Sequence, residues 1–509
     1  MKKSLMIVAM AAAVLFSSCS QSFLDVEPSG STIIQSQYED AYTVFDASVL
    51  GIYSLMIQYG GSHDLFGQKC IDIHTDLGVG DLALRGRNYG WFETAAFMNE
   101  FGYSSFSSYM WTSYYYKIIK NCNVLLVQRS LEKYEGVDFS DHSALTDEEL
   151  NASYAFGQAL AMRGFCYFWL ANYFGEQYGK GSTAAFDLSA VCAPIYTEET
   201  EIGVPQPPST AEQVYQQAEN DLLLAIEYLD GFSRLSKTYI NQSVAKGWLA
   251  YLYLQRGYFQ NEDFAEAARL ATEVINSGEY SMMPYSDVLT TGFTSVSAKN
   301  WMWAQDVTTE TATGLASYFG QMDVFTYSYA MAGDYKACDD ALYALIPTSD
   351  RRKQWFQDVD TNSAINKTYT LAPLQKFYDT KRILGGDRVW TNDICFMRLE
   401  EMYLIAAEAY NENGDASSAV NYLQQLVDER DPEAVITTEN FLDQLIYNWR
   451  IELWGEGRSL LTRKRMGLTI ARGTNHFQGA GQGTAYTQFY YNVPTSETEY
   501  NYNYSTGEE

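Results

Sequence analysis

Residues 401–427, EMYLIAAEAYNENGDASSAVNYLQQLV, decide the fold. Apolar side chains return every three to four positions, at Tyr403, Ala407 and Tyr410 and then at Ala419 and Leu423. That period lines one face of a helix. Gly414-Asp415 interrupts it, so the stretch predicts one helix over 401–411, a turn, and a second helix from 416. Ala407 and Ala419 are small enough to let the two helices approach closely. A single pair cannot bury its own apolar face, so pairs of this kind come stacked.

A second copy lies upstream. Leu249, Ala250, Tyr253, Gly257 and Ala267 keep the same order, with two or three residues inserted in the turn. Both copies occupy the offsets of a tetratricopeptide repeat. Further helices are predicted at 36–58, where Tyr38, Tyr42, Phe45, Val49 and Ile52 recur at helical spacing, and at 103–131, 148–174 and 210–229. Others follow at 239–256, 262–277, 394–412, 415–429 and 438–456. The 148–174 helix is apolar nearly all round, through Leu160, Phe165, Phe168 and Trp169, which makes it central; Gly175 is its stop. Ser209 is the expected N-cap of the next helix. Residues 60–102, rich in Gly and Asp, and 280–392 lose the helical period and read as irregular insertions. Within them Trp301 and Trp303 alternate with their neighbours as an extended core segment. The tail from about 468 is irregular. The fold class is therefore mostly α, a tetratricopeptide-like superhelix of helix pairs with a loop-rich half inserted between repeats. By analogy such scaffolds bind far more often than they catalyse.

The N-terminus reads as an export signal. Lys2 and Lys3 precede an apolar run from Leu5 to Phe16, then Ser17, Ser18 and Cys19. A cysteine at that point is the lipid acceptor of a bacterial lipoprotein. Residues 1–18 are thus expected to be a lipoprotein signal peptide, 19–34 a lipidated tether in which Phe23 and Leu24 are placed to dock, and 35–509 a single body. The apolar run is too short to span roughly 30 Å of hydrocarbon.

Composition narrows the partners. The net charge of −29 would repel phosphates, which argues against nucleic acid. Tyr is abundant, at 41 copies, and offers an apolar face with a polar tip. Cys70, Cys122, Cys166, Cys192, Cys338 and Cys395 are scattered, without a CxxC, and read as buried free thiols. HExxH, GxSxG and P-loop motifs are absent from the sequence, so no catalytic role is expected.

Aromatic residues outside the helices are the candidate ligand contacts, because sugar rings stack their CH faces on Trp and Tyr and peptides pack there too. Asp81–Trp91 (DLALRGRNYGW) gathers Arg85, Arg87, Asn88, Tyr89 and Trp91. Ser317–Tyr329 supplies Tyr318, Phe319, Tyr327 and Tyr329. Trp111, Trp169, Trp248, Trp449 and Trp454 fall in helical patterns and are assigned to the core. Asp72, His74 and Asp76, with Asp64 and Asp81 nearby, form an Asp-rich loop that is a weak candidate for a bound Ca²⁺; no other cofactor is expected. His63, His142 and His476 are isolated and read as superficial.

Five segments, in order, resemble the SusD/RagB-like outer-membrane nutrient-binding lipoproteins. Cys19 followed by Phe23-Leu24-Asp25 and Pro28 resembles the family's lipidated start. Ala161–Phe168 with Tyr173-Phe174-Gly175 resembles its R-A-x-x-Y-F…Y-G helix. Ala245–Tyr253 with Val274–Tyr280, Met397–Ala409, and Arg450–Arg458 resemble three more of its motifs. The chain departs from the pattern where Leu460-Leu461-Thr462 replace Asp-Leu, and where the acidic run after the lipid Cys shrinks to Asp25 and Glu27. The resemblance implies about four repeat pairs backing a ligand face built from the insertions. It implies a lipid-anchored protein of the outer membrane, on the cell surface. It also implies a SusC-like TonB-dependent transporter barrel as partner, with this chain as its lid and an oligosaccharide held between them. An oligopeptide is the alternative ligand. A scaffold without a small ligand, or a glycoside hydrolase, are the readings from other classes. Arg398 and Glu408 are expected to satisfy helix contacts, and Glu452, Glu456 and Arg458 to pair along or across one helix turn.

Overall fold

The computed structural model describes residues 41–96, 105–175, 191–356, 368–383, 389–481, 483–484 and 490–507. The signal peptide, Cys19 and the tether lie outside the described residues. The longer helices are α1 (Ala41–Ser54), α2 (Gln68–Val79), α3 (Tyr116–Leu126), α4 (Asp147–Phe174), α5 (Ala211–Tyr228), α6 (Gln242–Gly257), α7 (Asp263–Asn276), α8 (Leu399–Glu412), α9 (Ala416–Asp428), α10 (Phe441–Glu452) and α11 (Ser459–Met466). Short antiparallel strands pair two by two: β1 (Leu82–Leu84) with β5 (Lys336–Cys338), β2 (Val191–Pro194) with β3 (Pro208–Thr210), and β4 (Trp301–Gln305) with β6 (Ile394–Arg398).

The helix pair that opened the sequence reading forms as expected. Ala407 and Ala419 are fully buried where α8 meets α9. Gly414 takes the left-handed conformation that the turn requires (φ +87°), and the Asp415 side chain caps α9 by accepting from the Ser418 N–H at 3.0 Å. The helices form four pairs among the described residues, α1 with α3, α4 with α5, α6 with α7 and α8 with α9, and the pairs stack through α1 and α3 on α4, α5 on α6 and α7 on α8. α4 is the centre: 22 of its 28 residues are buried, from Ala152 to Phe174. Among the described residues no helix is long and apolar enough to cross a membrane. The six cysteines beyond Cys19 are free and buried.

Four local expectations are corrected. The N-cap of α5 is Thr210 rather than Ser209, because Thr210 and Gln213 exchange hydrogen bonds in a capping box (3.2 and 2.9 Å) while Ser209 belongs to β3. The helix expected from 394 begins at Leu399; its first five residues are β6, which pairs Arg398 with Trp301. The insertion at 60–102 contains α2 and β1. Glu452, Glu456 and Arg458 do not pair along one helix, since α10 ends at Glu452.

Those three residues instead build a buried seam with the rest of the chain. Glu452 accepts from Arg352 (3.0 Å), Arg398 (2.6 Å) and Arg430 (2.9 Å), and Glu456 from Arg398 and Lys376, each at 2.9 Å. Arg458 pairs with Glu401 at 2.8 Å, and Glu408 with Arg465 at 2.6 Å. Burial alone would raise the Glu456 carboxyl; Arg398 and Lys376 outweigh it and hold it down at about 2. Burial pushes the Lys376 ammonium down to about 8 despite Glu456. These pairs join the helices to Arg352 and Lys376 of the 280–392 insertion, so the loop-rich half is fixed to the repeats by charge as well as by packing.

Candidate functional site

The site starts from a strand end. β1 runs out at Leu84, and Arg85 adds one more backbone bond, donating its N–H to Tyr335 O at 3.0 Å. The chain then crosses the 328–335 loop at a point where no side chain fits. A Cβ on Gly86 would lie 2.2 Å from Gly333 O. Past that crossing the Asp334 carboxylate accepts two backbone N–H groups, from Asn88 at 2.6 Å and from Tyr89 at 2.9 Å. The Asn88 side chain donates to Ala332 O at 3.0 Å. The first aromatic segment is thereby clamped to residues 332–335, just past the end of the second.

The clamp assembles a patch of rings. Tyr329 is the hub. Its centroid lies 5.0 Å from Tyr89 and 5.9 Å from Trp91, both edge to face. His63 stacks on Trp91 (5.5 Å, 8° between planes) and meets Tyr329 edge on at 5.5 Å. The Tyr329 hydroxyl and His63 Nδ1 share a 2.6 Å hydrogen bond. Tyr59 closes the row, 5.9 Å from His63. Tyr59 (45%), Tyr89 (53%) and Tyr327 (38%) are exposed, Trp91 and His63 half-buried, and Tyr329 buried as their base. Arg87, on the rim, pairs with Glu93 at 3.1 Å and lies 5.1 Å from the Phe477 ring.

Support comes from below. Gln321 donates to His63 O at 3.0 Å and accepts from Lys336 Nζ at 2.6 Å. Lys336 also donates to Asp334 O (3.2 Å) and lies 4.5 Å from the Phe92 ring. Burial pushes its ammonium down to about 7, against the pull of Asp334 and Asp64. The ring row thus rests on hydrogen-bonded residues with little freedom.

Comparison with known proteins decides what kind of chain carries this patch. Residues 328–506 match the SusD family, and residues 88–254 match a family described as starch-binding, associating with the outer membrane. The chain is SusD/RagB-like. Solved structures share its fold. A SusD-like carbohydrate binding protein from Bacteroides vulgatus ATCC 8482 is 23% identical, with 91% of this chain and 97% of that one covered at a TM-score of 0.70. A SusD superfamily protein from Bacteroides thetaiotaomicron VPI-5482 gives 23%, 91%, 98% and 0.70. Another from Bacteroides vulgatus ATCC 8482 gives 20%, 92%, 98% and 0.74. No curated protein matches the chain.

In this SusD/RagB-like chain the sequence candidates divide. Tyr89, Trp91 and Tyr327 reach the surface, with Asn88 and Arg87 beside them. Arg85 turns to the 475 loop, donating to Asn475 O. Tyr318 and Phe319 are not surface residues. Both are 2% exposed, and the Tyr318 hydroxyl donates to Gly455 O at 2.7 Å under the Phe377 ring. They lie on a short helix, Tyr318–Met322, whose apolar face is core. Tyr59 and His63 join the ring patch although the sequence did not single them out as candidates. Their signal was a Gly-Gly turn between helices that carries a ring on each side, YGGSH at 59–63.

The Asp72, His74 and Asp76 loop is instead α2, buried throughout. On a helix, residues two apart do not face each other, so His74 points away from the two carboxylates. Its ring stacks on Phe106 at 3.6 Å. Asp72 pairs with Lys69 at 2.9 Å, and Asp76 accepts from the Gly457 N–H at 3.1 Å. Among the described residues no three His, Cys, Asp or Glu side chains gather to hold a metal ion.

Proposed function

We propose that this SusD/RagB-like chain is a nutrient-binding protein of the outer membrane that captures an oligosaccharide on the patch of Tyr59, His63, Tyr89, Trp91 and Tyr329. One observation carries this reading. Two exposed rings, Tyr59 and Tyr89, and the half-buried His63 and Trp91 surround Tyr329, a base held by a hydrogen bond, so the platform exists before ligand arrives and little ordering entropy is lost on binding. Asn88 and Arg87 stand beside the rings to meet hydroxyl groups. The match to a family described as starch-binding and associating with the outer membrane supports a carbohydrate as ligand and the membrane as location.

In the same reading Cys19 carries the lipid that tethers the body. The chain acts without bond-making chemistry, as the lid of a SusC-like TonB-dependent transporter barrel to which it delivers the glycan. The test is a glycan array on the chain, followed by calorimetry with the best oligosaccharide on wild type and on Trp91→Ala with Tyr89→Ala. A loss of roughly tenfold or more in affinity, about 1.4 kcal/mol, is expected with the fold intact. Unchanged affinity in the double variant would remove the patch as the site. Binding of oligopeptides in place of glycans would keep the patch and change the ligand class. Gentle solubilisation of membranes, with a TonB-dependent barrel recovered in near-equal amount, tests the lid.

A further inference from the structure

A second concave surface shares no residue with the aromatic patch. The outer face of α3, the 196–205 loop and the short helix Thr495–Tyr500 enclose a groove of about 680 Å³. Its floor is aromatic, with the Trp111 and Tyr116 rings 5.1 Å apart. Its walls are fixed from behind. Tyr116 donates its hydroxyl to Pro194 O (2.6 Å), Asn123 its amide to Tyr196 O (3.0 Å), and Asn501 its amide to Gln206 O (2.9 Å). Its rim is apolar and open to water: Val124 is 61% exposed, Tyr500 81% and Ile202 99%. Single exposed apolar side chains are ordinary. A contiguous set of them around a preformed trough marks a surface that another molecule covers.

Charge selects the occupant. Glu198 is already held by Arg129 and Arg163. Glu497 accepts from Trp111 Nε1 (3.3 Å) and from Asn501 (2.8 Å), both neutral donors. Glu201 forms no ion pair among the described residues. Lys120 is the one basic residue among those lining the groove. The spare charge is therefore acidic, carried by Glu201 and Glu497. A neutral glycan would gain little from the exposed apolar rim of Val124 and Ile202, and Asn123, Glu198 and Asn501 in the lining already hold partners within the chain. A second copy of this chain, at −29, would bring like charge to like.

We propose that this groove docks a short segment of a partner protein, one that lays apolar side chains in the trough and sets Lys or Arg against Glu201 and Glu497. Apolar side chains laid in a trough and charges that fix register are how grooves read such segments. The proposal stands independently of the ligand assigned to the aromatic patch.

The test uses the whole chain and two labelled peptides, each with a Leu/Ile centre, one flanked by Lys and Arg and the other by Glu. The basic-flanked peptide is expected to bind and the acidic-flanked one to fail. Glu201→Lys with Glu497→Lys should weaken the first by roughly tenfold and transfer preference to the second. Val124→Asp with Ile202→Asp should abolish binding of both, with an unchanged thermal midpoint because both positions are exposed. The proposal is overturned if neither peptide binds, if both bind equally, or if charge reversal leaves the preference as it was. It is equally overturned if the groove variants abolish self-association of the chain, which would make a second copy the occupant, or if they weaken glycan binding, which would make the groove part of the nutrient site.

Discussion

Around Trp248 the rings of Phe165, Tyr251, Trp169 and Trp303 lie at centroid distances of 4.8, 5.5, 6.1 and 6.4 Å. Around Tyr329 those of Tyr89, His63 and Trp91 lie at 5.0, 5.5 and 5.9 Å. The contacts in both sets are edge-to-face but for the tilted Trp248–Tyr251 pair, the kind aromatic quadrupoles favour. Ring geometry therefore does not separate a core from a binding platform. The difference lies in what stands on the other side. Trp248 is 1% exposed, enclosed by α4, α6 and β4, with the Arg458 guanidinium 5.3 Å from its ring. Tyr89 has protein on one face and water on the other. The first set holds the fold together; the second is held in place by hydrogen bonds to backbone, and its outer ring faces are left open to solvent.

The largest expected effect tests the first half of that contrast. Trp248→Ala removes a large ring from the centre of the helix stack and should cost about 4 kcal/mol of unfolding free energy, in the range for Trp-to-Ala changes in cores. A urea titration that moved by less than about 1 kcal/mol would show that the Trp248 cluster does not hold the fold.

Next is the seam that fixes the loop-rich half to the repeats. Glu456 is held at about 2 against an ordinary 4.5. Its folded value is depressed, so the unfolded chain binds more protons between these values, and stability falls as pH drops from about 4.5 toward 2. At roughly 1.36 kcal/mol per unit the full loss is about 3 kcal/mol. Glu456→Gln should flatten that part of the acid-unfolding curve. An unchanged slope in the variant would remove Glu456 as its source.

How far this contrast was legible in the sequence depends on where each residue finds its partners. The helix pairs were readable because their signal is local: Ala407, Gly414 and Ala419 sit within thirteen residues and the period is unbroken. α2 was not, because it is buried on every side and carries polar residues among its apolar ones. Lys69, Asp72 and Asp76 read as a solvated loop, and the backbone group that Asp76 Oδ2 accepts from, the Gly457 N–H, lies 381 residues away. β6 was merged into the following helix because ICFMR is apolar under either period, and only its pairing with β4 separates them. In the 317–329 segment Tyr318 and Tyr329 are chemically identical. One is drawn into the core by Gly455 O and the other to the patch by His63. The segment's composition showed that aromatic rings gather there and could not say which of them face water.

A smaller effect separates the clamp from the rings it positions. Asp334 accepts the Asn88 and Tyr89 N–H groups together, so Asp334→Ala leaves two amides without their acceptor and should cost about 1–3 kcal/mol. Because both amides belong to the loop that carries Tyr89 and Trp91, the loss should appear as faster amide exchange at 86–91 and weaker glycan binding. Exchange protection in α4 should not change. Uniform loss of protection across α4 would mean that the loop and the helix stack unfold as one unit, and the division between the two regions would fail.

The smallest stability effect falls on the platform itself. Trp91 is half-buried and touches His63 and Tyr329 on one side. Trp91→Ala should therefore lower the thermal midpoint far less than Trp248→Ala, by an amount corresponding to about 1 kcal/mol. The same change should cost glycan affinity roughly tenfold, because the ligand loses a stacking face that no neighbouring side chain replaces. The two tryptophans then form a test by opposition, one moving stability without a bound ligand and the other moving affinity without the fold. If Trp91→Ala destabilises as strongly as Trp248→Ala, the patch is an outlying piece of core, and the exposed faces of Tyr59 and Tyr89 are the residue of packing rather than a surface built to receive a sugar.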